Sequence, residues 1–104
     1  MTFLVKALDY PAPLGPQRRQ TFRPKHLRFG EELYRQGRWR FAAGILNEAS
    51  QPIGSLIICE FESRQQLEEE WLSQETYLLN KVWEKIEIYP IKPAPFMGDV
   101  LHFS

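Results

Sequence analysis

Four consecutive apolar residues, Leu56-Ile57-Ile58-Cys59, constrain this 104-residue chain more than any other stretch. They lie inside a strand-like run, residues 54–61. Side chains alternate across a strand, so this strand is apolar on both faces and its sheet needs cover on two sides. The sequence offers only two helical segments, enough for one layer. A second copy of the chain is the simplest cover for the other face.

The remaining segments fall into place around that strand. Residues 2–9 read as a first strand, with Phe3, Leu4, Val5, Ala7 and Leu8 apolar and Asp9 at its end. Residues 10–22 hold Pro11, Pro13, Gly15 and Pro16 and read as a stiff surface loop, a lid or partner segment or a plain insertion. Pro24 then sets the first turn of a helix that stops at Gly37, with Leu27, Gly30, Leu33, Tyr34 and Gly37 on one face. Residues 39–46 form a second strand, joined to the third by a turn at residues 47–52. Ser63-Arg64-Gln65-Gln66 has the pattern of a capping box and opens a second helix with Leu67 and Trp71 inward, ending or kinking at residues 74–77. Residues 81–91 make a fourth strand, and Pro90 places it at an edge or a strand end.

This order predicts a ferredoxin-like βαββαβ arrangement of the α+β class, an antiparallel sheet with both helices on one face. One domain spans residues 1–92. A tail, 93–104, has Pro93, Pro95 and the apolar Val100-Leu101-His102-Phe103, and is expected to pack on the domain or on a partner subunit.

Charge and cysteine usage narrow the function. Thirteen basic and thirteen acidic residues leave no net field to recruit nucleic acid or anionic lipid. Residues 1–6 lack a signal-peptide core, no apolar run is long enough to span a bilayer, and a single cysteine excludes an intrachain disulfide. A cytoplasmic protein without membrane contact is the expectation. Arg18, Arg19, Arg23, Lys25 and Arg28, interleaved with Phe22 and Phe29, resemble a nucleic-acid patch, but the third strand is aliphatic where an RNA-recognition module needs stacking aromatics. Glu68-Glu69-Glu70 is a solvated face, since consecutive residues cannot converge on one metal ion. No metal or cofactor is expected.

One residue carries chemistry. His26 falls about 20° from Leu33 on the helical wheel and so points inward near the start of the first helix. An imidazole there suits general acid–base work, and a carboxylate such as Asp9 can orient it and stabilise its charged form. A core histidine satisfied by backbone groups is the alternative. Asp9 before Tyr10-Pro11 can equally be a turn former, and Gly44 can mark a ligand's close approach or a bulge.

The sequence resembles the YciI-like family (YCII-related domain) of small dimeric α/β-barrel proteins. The likeness runs over residues 2–92. It rests on Arg23-Pro24-Lys25-His26-Leu27, Gln36-Gly37-Arg38, Ala42-Ala43-Gly44, Gly54 to Ser63, Trp71, Tyr77 and Val82 to Ile91. The resemblance implies a homodimer whose sheets pack face to face and a pocket beside the first helix, with His26 and Asp9 as an acid–base pair. Where the family often has Asp-Pro-Tyr after the second helix, this chain has Glu75-Thr76-Tyr77, one methylene longer at the carboxylate. Arg23, Gly44, Glu75 and Tyr77 are then substrate-binding candidates, with Tyr77 also suited to the dimer interface. The resemblance implies a cofactor-free lyase or isomerase acting on a small aromatic or anionic molecule. Two rivals stand beside it: a non-catalytic ligand-binding or assembly protein, and a cofactor-free monooxygenase by fold analogy.

Overall fold

A computed structural model describes residues 1–97. The elements run β1 (Thr2–Asp9), α1 (Leu14–Arg35), β2 (Trp39–Leu46), β3 (Pro52–Glu60), α2 (Arg64–Glu70), a 3-10 turn (Leu72–Gln74), α3 (Thr76–Leu79) and β4 (Trp83–Ile91), followed by a 3-10 turn at Pro95–Met97. All pairings are antiparallel and the strand order is β2-β3-β1-β4. This is the expected ferredoxin-like fold, with Pro90 on an edge strand. His102 and the apolar end of the tail lie outside the described residues.

The register sorts the sheet into two faces. Ala42, Ile57, Val5 and Ile88 form one cross-strand row, flanked by the row Gly44, Ser55, Ala7 and Ile86. The buried core is built on this side, where Phe3, Val5, Ile57 and Cys59 pack with Leu33, Phe61, Leu67, Trp71, Tyr77 and Val82. The other face carries the row Phe41, Ile58, Leu4 and Tyr89, apolar across all four strands. Phe41 and Tyr89 are exposed, and Leu4, Leu56 and Ile58 only half-buried. Within this chain, then, β3 is covered on one side.

The first helix departs from the sequence reading. It begins at Leu14, ten residues before Pro24, and takes in most of the segment expected to be a loop. Pro16 falls in the first turn, where backbone N–H groups have no helical partner to lose. Pro24 lies inside the helix, where it deprives the Gln20 carbonyl of a donor. Gln20 is exposed, so water can replace that donor. The buried stripe is Gly15, Arg19, His26, Gly30 and Leu33, while Leu27 and Tyr34, expected inward, are 46% and 48% exposed. Close approach narrows the stripe. A Cβ on Gly30 would meet Trp39 Cζ3 at 2.3 Å, so the helix touches the sheet at this glycine.

The helix end matches its sequence signal. Gly37 has φ +78°, its N–H donates to Tyr34 O at 3.0 Å, and Arg38 N–H donates to Leu33 O at 2.8 Å. This is a Schellman motif, which directs the chain into β2. The first residues of β2 contain a register shift between Trp39 and Phe41, a bulge that keeps Trp39 on the core face with Ala42 and Gly44. Ser63 caps α2 by accepting the Gln66 N–H at 3.0 Å. β4 starts at Trp83 rather than residue 81, because Lys81 sits in a turn with φ +54°.

Candidate active site

The site forms where α1 crosses the sheet ends. Its central element is Glu75, the residue between the 3-10 turn and α3, with no exposed surface. One carboxylate oxygen, Oε1, accepts Trp71 Nε1–H at 2.9 Å. The other, Oε2, accepts the Tyr77 backbone N–H at 2.9 Å and lies 2.7 Å from His26 Nδ1. Two donors already converge on this carboxylate, so it acts as acceptor and Nδ1 carries the hydrogen. In the neutral form of the ring, the remaining nitrogen, Nε2, then has a free lone pair.

The imidazole is fixed in other directions too. It stacks on the Tyr77 ring at 3.8 Å with an interplanar angle of 3°, and Trp83 meets it edge-on at 6.0 Å. Tyr77 is buried, and its hydroxyl donates to the Arg19 carbonyl at 3.4 Å. Burial pushes the Tyr77 phenol above its ordinary value, with Asp9 and Glu75 adding to the rise and Arg19 and Arg23 opposing it. The phenol therefore stays protonated at neutral pH. Tyr77 packs in the core beside His26, not on the outer surface.

Asp9 does not take the orienting role that the sequence suggested. At the end of β1 it is gripped by Arg19, with Nε 2.6 Å from Oδ2 and Nη2 3.0 Å from Oδ1. The same Nη2 donates to Ser55 Oγ at 3.0 Å, and the guanidinium lies 4.8 Å over the Tyr77 ring. A bidentate guanidinium is the stronger claimant for Asp9, and the carboxylate on His26 is Glu75. Arg19 and Ser55 were missed by the sequence reading. Arg19 carries a signal in retrospect: it precedes His26 by seven residues and so shares its helical face.

These groups border a pocket of about 1020 Å³, partly open to solvent. Asp9, Arg19, His26 and Tyr77 lie at one part of its wall, Arg23 and Leu27 at the α1 side, and Ala42, Gly44, Ser55 and Ile57 along the sheet. Of the anticipated residues, His26, Asp9, Arg23, Gly44 and Tyr77 all line it, while Glu75 stands behind His26. Among the described residues, no three His, Cys, Asp or Glu side chains are grouped to hold a metal ion. None of the described helices is long and apolar enough to cross a membrane.

The YCII-related domain model matches residues 1–92. The chain belongs to this family. No curated protein matches the sequence. Among solved structures, similarity extends to 5-chloro-2-hydroxyhydroquinone dehydrochlorinase from Burkholderia phenoliruptrix AC1100, in complex with 2,5-dihydroxybenzoquinone. The TM-score is 0.78 at 19% identity, covering 92% of this chain and 98% of that one. A candidate antibiotic biosynthesis monooxygenase from Deinococcus radiodurans is similar with a TM-score of 0.53 at 13% identity, over 90% of this chain and 95% of that one. Both likenesses establish the fold of this YCII-domain chain.

Proposed function

We propose that this YCII-domain protein is a cofactor-free acid–base enzyme, of lyase or isomerase type, acting on a small aromatic or anionic molecule. One observation carries the reading: a pocket-lining His26 is held through Nδ1 by the buried Glu75 at 2.7 Å. In this role Nε2 takes a proton from the bound molecule. The imidazolium so formed faces the Glu75 carboxylate and the stacked Tyr77 ring, which both favour positive charge. Asp9, fixed by Arg19, offers the ligand an acceptor of defined position. Arg23, at the α1 side of the pocket, attracts an anionic group.

The dehydrochlorinase neighbour, solved with a hydroxyquinone, makes 2,5-dihydroxybenzoquinone a reasoned first probe. Proton abstraction is tested by following exchange of its ring hydrogens in D2O by NMR. The protein should accelerate exchange, and His26→Ala should abolish the acceleration while retaining binding. Binding with no exchange in either protein would instead favour a non-catalytic ligand-binding role. The monooxygenase alternative, which the Deinococcus neighbour makes worth testing, requires dioxygen uptake with a phenolic substrate.

We also propose that two copies pair through their open sheet faces. The row Phe41, Ile58, Leu4 and Tyr89 supports this, being continuous across the sheet and uncovered in the protomer. A cytoplasmic location agrees with the single cysteine, buried and unpaired at Cys59.

A further inference from the structure

We propose that Ser55 is a ligand-binding residue whose hydroxyl hydrogen is presented to the floor of the pocket, as donor to a ligand oxygen. The inference rests on the reading above that this pocket takes a small molecule. It begins with hydroxyl valence. A serine oxygen has one hydrogen to give and two lone pairs with which to accept. Ser55 Oγ accepts from Arg19 Nη2–H at 3.0 Å and from Trp83 Nε1–H at 3.2 Å. Neither a guanidinium nor an indole N–H can accept in return. Both lone pairs are therefore in use, and the hydrogen must point in a third direction.

The sheet register shows which direction is open. The neighbours of Ser55 in its cross-strand row are Ala7 on β1 and Gly44 on β2. Neither side chain has a polar atom. Trp83 reaches Ser55 from β4, beyond β1, and Arg19 reaches it from α1, so two approaches are filled. On the β2 side there is space. A Cβ built on Gly44 would meet nothing nearer than Gly54 O at 3.9 Å, and Gly44 itself lines the pocket. Ser55 is 96% buried by residue surface, being 4% exposed, yet it lines the same pocket. Its hydroxyl is thus a built feature of the wall.

The chemistry of the ligand follows. A charged donor and an indole both draw electron density from Oγ, and such chains of hydrogen bonds strengthen the next one. The O–H is best satisfied by an electron-rich oxygen: a carbonyl, carboxylate or phenolate. The Trp83 indole that donates to Ser55 also meets the imidazole of His26 edge-on at 6.0 Å. One aromatic side chain therefore separates the oxygen-holding group from the proton carrier.

The test has a ligand-free arm and a binding arm. A neutron or atomic-resolution crystal structure of the unliganded protein should show the Ser55 hydrogen donating to a water about 2.7–3.0 Å from Oγ on the Gly44 side. Donation to a protein carbonyl or to Asp9 would overturn the proposal. In calorimetric titrations with 2,5-dihydroxybenzoquinone, Ser55→Ala should weaken binding about 10-fold. Gly44→Ala leaves the Arg19 and Trp83 contacts intact and places a methyl in the space the hydroxyl faces. It should weaken binding several-fold with an unchanged urea midpoint, so it stands in if Ser55→Ala folds poorly. Wild-type affinity in both variants would refute the assignment. Failure of the unaltered protein to bind the quinone would count against the proposed substrate class, while the ligand-free arm would still decide where the hydrogen of Ser55 points.

Discussion

Replacing Glu75 by Gln keeps the side chain's size and shape but removes its negative charge and turns one acceptor into a donor. The carboxylate receives three donors, two at Oε2 and one at Oε1. A glutamine carbonyl placed at the Oε2 position keeps the Tyr77 N–H and His26 contacts. Its NH2 group must then face the Trp71 indole N–H, donor against donor, in a site closed to water. Losing a hydrogen bond to a charged acceptor and stranding a buried N–H costs about 1.5–3 kcal/mol. For a domain of this length that corresponds to a fall in Tm of about 6–24 °C. Urea unfolding at neutral pH measures it as a shift in midpoint at constant slope. The decisive control is Trp71→Phe, which deletes the indole donor. In that background Glu75→Gln should cost about 1–2 kcal/mol less, a coupling energy within the usual range for contacting residues. If Glu75→Gln shifts stability by under about 0.5 kcal/mol, or by the same amount with and without Trp71, the account of Glu75 as a three-donor hub is wrong.

Other expectations are independent of that hub. Burial, with a smaller contribution from Glu60, pushes the Cys59 thiol up to about 12 from an ordinary value of 9.0. The folded protein should therefore resist a thiol reagent at pH 8, and guanidinium should expose one reactive equivalent. Because the thiol is raised in the fold, its contribution to stability is full below pH 9 and is lost as pH climbs towards 12, a decline that unfolding at stepped alkaline pH would register. Gly30→Ala should destabilise by roughly 1–3 kcal/mol despite the better helix propensity of alanine, because its Cβ enters the Trp39 ring; a stabilised variant in urea would contradict the close approach. Ile58→Glu should convert a dimer to monomer in light scattering, and a mass unchanged at that of two chains would rule out pairing through this face.

Much of the fold was legible because its signals are local. β2 was read with its observed limits, the Ser63 cap and the Gly37 stop stood out by residue type, and the element order alone implied the sheet topology. The start of α1 was not legible. Pro13 and Pro16 look like loop formers, yet a helix tolerates proline in its first turn. Pro24 looks like such a start, yet it sits mid-helix on an exposed side. In the site, the inward direction of His26 followed from spacing. Its carboxylate partner did not, since Asp9 and Glu75 are both distant in sequence. Only the fold gives Asp9 to Arg19 and Glu75 to His26. Ser55 was hidden for a similar reason, as its role depends on donors arriving from α1 and β4.

Arg19, Arg23 and His26 ride on one continuous helix, whereas Asp9 and Glu75 hang from a strand end and a turn elsewhere. The basic half of the site is therefore a single cassette facing an acidic half assembled from separate pieces. A small tilt of α1 moves all three side chains together and breaks both carboxylate contacts at once. A substitution that shifts this rod without unfolding the domain should therefore silence the pocket.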